Sequence, residues 1–147
     1  MSDYRHTQIG TVLLSSLGAA VLLVGALLLM YGLDPVLLAV IVMLAAIAIV
    51  FASLTVEIHG EVLILWFGPG LIHKRVAVAT IRACAVVRNP WWYGWGIRWT
   101  PRGWLYNVSG LGAVELTLQN GQRLLIGTDE PEQLCQAIAR AGAGARA

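Results

Sequence analysis

Two long uncharged runs at the start of the chain constrain its fold more than any other feature. Residues 10–33 (GTVLLSSLGAAVLLVGALLLMYGL) and 35–56 (PVLLAVIVMLAAIAIVFASLTV) contain no charged side chain, and Asp34 lies between them. A helix needs about 20 apolar residues to cross a hydrocarbon core of roughly 30 Å. Pro35 suits the first turn of a second helix. The pattern predicts a transmembrane hairpin with helices at about 9–32 and 35–52.

Composition supports a membrane protein, because 58% of the residues are hydrophobic and 12% are charged. A cleaved signal peptide is the alternative for the first run. Its apolar core would be about 7–15 residues long and would end at a small-residue cleavage site. The first run is longer, and no such site precedes the second run. Length therefore favours the hairpin.

The distribution of Lys and Arg predicts the orientation of this hairpin. Arg5 precedes the first helix, the other nine basic residues follow the second, and the turn has none. The positive-inside rule then puts both termini in the cytoplasm. We expect a multi-pass protein of the plasma (inner) membrane. In that reducing compartment Cys84 and Cys135 are expected to be free thiols.

From Ser53 onward short apolar runs alternate with turn signals, which is typical of β-strands. About seven strands are predicted, at residues 54–59, 62–67, 73–78, 81–88, 104–108, 114–119 and 123–127. A helix at about 130–141 follows, with Asp129 and Glu132 in the spacing of a capping box. The sequence predicts an α+β protein, with a tail and hairpin over 1–52 and a cytoplasmic domain over 53–147.

Several motifs of the second half resemble those of bacterial pleckstrin-homology-like (PH-like) membrane proteins. They are Gly94-Trp95-Gly96-Ile97-Arg98, Gly103-Trp104-Leu105-Tyr106-Asn107-Val108, Val114-Glu115-Leu116, and Ile126-Gly127-Thr128-Asp129 with Pro131. The resemblance covers roughly 53–140 and implies a PH-like antiparallel β barrel or sandwich, capped by the C-terminal helix. Phosphoinositide-binding members carry Lys and Arg between their first two strands, where this chain has His59-Gly60-Glu61.

Tryptophans and basic residues are concentrated in one segment. Residues 62–114 contain all six tryptophans, six basic residues and no acidic residue. Trp66, Trp104 and Tyr106 lie in predicted strands and are expected in the core. Trp91, Trp92, Tyr93 and Trp95 follow Pro90 and are interrupted by glycines, which indicates an exposed loop.

We predict that this loop, with Arg98 and Arg102, forms a binding surface. Lys74, Arg75 and Arg88 are predicted as secondary basic contacts. Trp and Tyr favour the membrane interface, and Arg favours anionic lipid. The same residue types form the hot spots of protein interfaces. Sequence alone leaves both anionic lipid and a protein partner open.

Other function classes lack support in the sequence. No nucleic-acid motif occurs, no spacing of Cys and His resembles a metal site, and no catalytic constellation, cofactor motif or small-molecule site is recognisable. The hypothesis is therefore a non-enzymatic binding or scaffolding module tethered to the membrane. The alternative is a structural protein that forms a membrane-attached homo-oligomer or serves as an accessory subunit of a membrane complex.

Overall fold

A computed structural model describes residues 4–144. In chain order its elements are β1 (Tyr4–Ile9), α1 (Thr11–Tyr31), α2 (Pro35–Val50), β2 (Ser53–His59), β3 (Val62–Phe67), β4 (Ile72–Ala77), β5 (Ile81–Arg88), β6 (Gly96–Thr100), β7 (Gly103–Asn107), β8 (Gly112–Leu118), β9 (Arg123–Gly127) and α3 (Pro131–Gly144). Short 3-10 turns occupy Val78–Thr80 and Trp91–Tyr93. The structure is α+β, as predicted.

The helical hairpin begins and ends within two residues of its predicted bounds. Asp34 is the N-cap of α2, and its Oδ1 accepts from the backbone N–H groups of Val36 and Leu37 at 2.8 and 3.1 Å. Pro35 occupies the first turn of α2, where its missing N–H costs nothing. The turn between the helices therefore forms for the reason expected from the sequence.

The segment predicted as an N-terminal tail contains a strand. β1 pairs antiparallel with β2, and Ile9 lies opposite Ser53. The hydroxyls of Thr7 and Thr55 are 2.9 Å apart across this pair. The hairpin is thus inserted between two neighbouring strands, and the β domain includes residues on both sides of it.

The strands form two sheets, with orders β1-β2-β3-β4 and β5-β8-β9-β7-β6. The first is antiparallel throughout. In the second, β7 and β9 pair in parallel, which corrects the predicted all-antiparallel arrangement. No hydrogen-bonded ladder joins the two sheets within residues 4–144, so they do not form a closed barrel. β1 and β6 are the strands that the sequence prediction missed.

The core lies between the sheets and beneath α3. Its largest fully buried side chains are Phe67, Leu54, Ile58, Leu63, Leu65, Leu116, Ile126, Leu134, Val108 and Val114. Leu134 and Ile138 form the buried stripe of α3. They are four residues apart, so they share one face of the helix. This packing holds α3 against the sheets.

Cys84 and Cys135 form a disulfide that ties α3 to β5, with Cα atoms 5.8 Å apart. The prediction of free thiols is therefore wrong for this structure. It rested on the compartment expected from the distribution of Lys and Arg. Their distance along the chain gave no sign that the fold brings the two residues together.

The start of α3 differs from the predicted capping box. The Thr128 hydroxyl accepts from the Glu130 N–H at 3.1 Å. Asp129 bonds instead to His6 of β1, with its Oδ1 2.6 Å from His6 Nε2, and Glu130 Oε2 is 3.3 Å from His6 Nδ1. These contacts connect the N-terminal strand to the C-terminal helix.

A candidate membrane-facing aromatic site

The hairpin helices present apolar side chains outward. No residue of α1 or α2 is buried. Helix α1, with 21 residues, is long and apolar enough to cross a membrane by length and composition, and it spans about 31 Å at 1.5 Å per residue. Helix α2, with 16 residues, is shorter, spanning about 24 Å. An exposed apolar surface of this size needs lipid or protein to cover it.

The base of the hairpin is joined to the β domain by several hydrogen bonds. The Gly10 N–H donates to the Ala52 carbonyl at 2.9 Å, where the two chain segments enter and leave the hairpin. The hydroxyls of Thr11 and Ser109 are 2.8 Å apart. The Gln8 amide donates to the Ser109 carbonyl at 3.1 Å. The β7–β8 turn therefore lies directly beneath the first turn of α1.

In the aromatic loop, residues 89–95, two of the four predicted aromatic side chains are exposed, and Tyr93 and Trp95 are partly buried. Trp91 and Trp92 are 72% and 67% exposed. Their ring centroids are 6.0 Å apart in an edge-to-face arrangement, and those of Trp92 and Tyr93 are 6.5 Å apart. Three consecutive aromatic rings thus form one surface cluster. Such a cluster in water is a typical interaction site.

Trp95 joins the aromatic loop to the hairpin base. Its indole N–H donates to the Gly110 carbonyl at 3.0 Å. Gly110 follows Ser109, the residue whose hydroxyl meets Thr11 of α1. At the other end of the loop, the Asn89 N–H donates to the Leu111 carbonyl at 2.7 Å. The aromatic loop is therefore held at the end of the β domain from which the hairpin emerges.

The predicted basic residues lie in three places. Arg98 belongs with the aromatic loop, because its Nε donates to the Trp95 carbonyl at 3.2 Å. Arg88 ends β5 opposite Gly112, at the same end of the sheet. Arg102 lies in the β6–β7 turn, at the opposite end of those strands. Lys74 and Arg75 lie in β4 of the other sheet.

A second aromatic pair, one member of which was predicted in the core, lies near Arg102. Trp99 and Trp104 face each other across β6 and β7, with centroids 5.3 Å apart. They are 70% and 45% exposed, so the prediction that Trp104 is in the core is wrong. Its ring packs on the exposed ring of Trp99 instead of entering the core cluster.

The other predicted core aromatics differ in burial. Tyr106 is buried as predicted and contacts Phe67, with ring centroids 6.3 Å apart. Trp66 is only partly buried, and the Arg5 guanidinium lies 5.7 Å from its ring centroid. The Arg5 side chain, from β1 of the same sheet, therefore covers part of the Trp66 ring in a cation–π contact.

Burial and two carboxylates perturb one titratable group outside the hairpin. Burial raises the pKa of Tyr4 to about 12, and the nearby carboxylates of Glu130 and Asp129 act in the same direction. The acidic side chains are those that contact His6. This cluster connects β1 to α3.

Among residues 4–144 no group of three or more His, Cys, Asp or Glu side chains could hold a metal ion. No known protein family, curated protein or solved structure matches the chain.

Proposed function

We propose that this protein is a non-enzymatic binding or scaffolding module tethered to the plasma membrane. The hairpin inserts into the bilayer with both of its helices. The aromatic loop then meets the headgroup region, with anionic lipid as its ligand. In this proposal the β domain is held against one face of the bilayer instead of extending away from it.

One observation supports this proposal most directly. Trp95 bonds to Gly110, and the adjacent Ser109 bonds to Thr11 in the first turn of α1. A hairpin inserted up to its base would bring this turn to the membrane surface, together with the aromatic loop. Trp and Tyr rings are enriched at that depth because one end is apolar and the other is polar.

Charge favours an anionic surface. Arg98 and Arg88 flank the aromatic loop, and residues 62–114 contain no acidic side chain. Each Arg near an anionic leaflet contributes about 1 kcal/mol. Arg102 is not part of this lipid contact, because it lies at the far end of β6 and β7.

Two features bear on the side of the membrane, and they disagree. The Lys and Arg count favours cytoplasmic termini, because the turn around Asp34 has no basic residue. The disulfide between Cys84 and Cys135 favours an oxidising compartment. We propose cytoplasmic termini, because the positive-inside rule concerns the insertion step itself. Two cysteines that lie close together in the fold also occur as a dithiol when their surroundings are reducing.

We retain the PH-like fold as part of the proposal. Two sheets with a C-terminal helix packed on their core support it. The parallel pair β7–β9 departs from the expected pattern. The segment His59-Gly60-Glu61 is short and has no Lys or Arg, which argues against a phosphoinositide site there.

The test is quenching of tryptophan fluorescence in vesicles that carry brominated lipids. The full chain is reconstituted, because removing residues 1–52 would also remove β1. We expect the Trp91→Phe/Trp92→Phe variant to lose most of the quenching. The matched Trp99→Phe/Trp104→Phe variant should keep it. Equal quenching in both variants would contradict the proposal.

Self-assembly is the second candidate, and one edge strand favours it. β5 hydrogen-bonds only to β8 within the described residues, and Val86 on it is 47% exposed. Uncovered edge strands can pair with another copy. Sedimentation of the full chain in detergent tests this candidate. A discrete oligomer that Val86→Pro converts to monomer would support it, and a monomer at all concentrations would exclude it.

A further inference from the structure

The two sheets leave an open seam between β4 and β6. β4 is the last strand of the first sheet and β6 the last of the second. Among residues 4–144, β4 pairs only with β3, and β6 only with β7. A cavity of about 670 Å³ lies along the seam, lined by residues 72–75 of β4, Ile97 of β6 and Tyr106. Each strand therefore has one edge of backbone N–H and C=O groups without a strand partner.

A second cavity continues the seam toward the β6–β7 turn. It has a volume of about 460 Å³, and its lining includes Trp99, Trp104, Arg102 and Arg123. Lys74 lines both cavities, so they lie next to each other, and together they are called the groove. Its Nζ lies 5.9 Å from the centroid of the Tyr106 ring, at the junction of the two. The groove thus leads from the edges of two strands to an exposed aromatic pair.

The charge of the groove is of one sign. Lys74, Arg75, Arg102 and Arg123 line it, and none of the residues that line either cavity is Asp or Glu. Only Arg123 has a carboxylate nearby, with Glu115 at 3.9 Å. Three cations therefore have no ion pair within the described residues. They favour an anionic occupant.

We propose that this groove binds an acidic peptide segment in an extended conformation. Its backbone pairs with the free edge of β4 or β6, as in other complexes formed by strand addition. Its acidic side chains meet Lys74 and Arg102, and an apolar side chain packs on Trp99 and Trp104. A peptide fits better than single-stranded nucleic acid, because the free strand edges offer a row of backbone donors and acceptors.

The proposal is independent of the aromatic loop. Trp99 and Trp104 lie near the β6–β7 turn, whereas the aromatic loop lies at the hairpin base. The lipid contact and the peptide contact can therefore succeed or fail separately. Together they would let the protein hold a partner beside the membrane.

The test uses the full chain in nanodiscs of neutral lipid. The probe is a fluorescein-labelled peptide of about twelve residues in which Glu and Val alternate, and fluorescence anisotropy reports binding. In the first control peptide, Lys replaces Glu. In the second, N-methyl groups on alternate residues block strand pairing. We expect saturable binding of the Glu peptide, weakened about tenfold or more by N-methylation. The Lys peptide should not bind.

Two protein variants locate the site. Lys74→Glu/Arg102→Glu should weaken binding of the Glu peptide about tenfold or more. Arg82→Glu, exposed on β5 and outside the groove, should leave binding unchanged, and thermal melting checks that both variants fold. Absence of saturable binding at millimolar peptide overturns the proposal. Equal binding of the N-methylated peptide, or competition by anionic vesicles, would also overturn it.

Discussion

The indole N–H of Trp95 donates to the carbonyl oxygen of Gly110 at 3.0 Å. Because of this bond, Trp95 has a different role from its neighbours in the aromatic loop. Trp95 is partly buried and bonded to the β7–β8 turn, whereas Trp91 and Trp92 are exposed. The loop therefore has one residue that holds it in position and two that are available for contact.

Trp91→Ala/Trp92→Ala should leave the stability of the folded protein nearly unchanged, because exposed side chains contribute little to it. We expect the melting temperature in detergent to stay within a few degrees of the parent. Trp95→Ala should lower it, because it removes a hydrogen bond worth about 1 kcal/mol and partly buried ring contacts. If the double variant melts far below Trp95→Ala, the loop aromatics are structural.

Breaking the disulfide should destabilise the β domain. Cys84 and Cys135 are 51 residues apart in sequence, and closing a loop of that length restricts the unfolded chain by about 4 kcal/mol. Cys135→Ser should therefore lower the free energy of unfolding by about 2–4 kcal/mol. Denaturant unfolding measures this loss. Adding reductant should lower the parent to the same stability, and leave the variant as it is.

The orientation of the hairpin can be read from cysteine labelling. In a Cys84→Ser/Cys135→Ser background, Leu33→Cys places one thiol in the turn between the helices. Cytoplasmic termini require that a membrane-impermeant maleimide label this thiol on intact cells. Ala85→Cys, exposed on β5, is the matched control and should react only after lysis. The reverse result would put the β domain outside the cytoplasm.

The contact between β1 and α3 should make stability sensitive to alkaline pH. Burial, with the carboxylates of Glu130 and Asp129, raises the pKa of Tyr4 to about 12. The unfolded chain releases this proton near pH 10. Stability is therefore unaffected below pH 10, falls between pH 10 and 12, and stays lowered above pH 12. Tyr4→Phe should reduce that fall, which denaturant unfolding at several pH values would detect.

Gly68 should not tolerate a side chain. Its φ is +47°, and an added Cβ would lie 2.5 Å from the Ile49 carbonyl oxygen and 2.6 Å from that of Val50. Gly68→Ala should thus shift the end of α2 away from β3 and cost about 1–3 kcal/mol of unfolding free energy. Gly144→Ala has open space and serves as control. Similar stability in both variants would mean that the end of α2 is free to move.

The sequence predicted those helices and strands whose formation depends on short residue patterns. The apolar runs and Asp34-Pro35 predicted the hairpin, and the short runs at 114–119 and 123–127 predicted β8 and β9. β1 was missed because Tyr4–Ile9 has no regular alternation of apolar and polar side chains, and its strand partner lies beyond the hairpin. The parallel pairing of β7 with β9 was missed for a related reason, since tertiary packing decides it.

In the candidate site too, the sequence predicted what local residue patterns determine and missed what tertiary packing determines. Glycines and Pro90 predicted an exposed loop, and Trp91 and Trp92 are exposed. Sequence could not show that Arg102 is remote from this loop, because their separation depends on the length and direction of β6. Trp104 was expected in the core because it alternates with polar and apolar neighbours in a predicted strand, but tertiary packing, which the pattern does not show, decides whether a strand residue is covered.

The insertion of the hairpin between Ile9 and Ser53 has a mechanical consequence. A domain attached to its anchor by one chain segment can swivel about a few backbone bonds. Here two segments cross the boundary side by side, and each continues into a strand of the same sheet. Torque on the hairpin would therefore pass to the sheet, and any tilt of the two helices would reorient the groove beside β6.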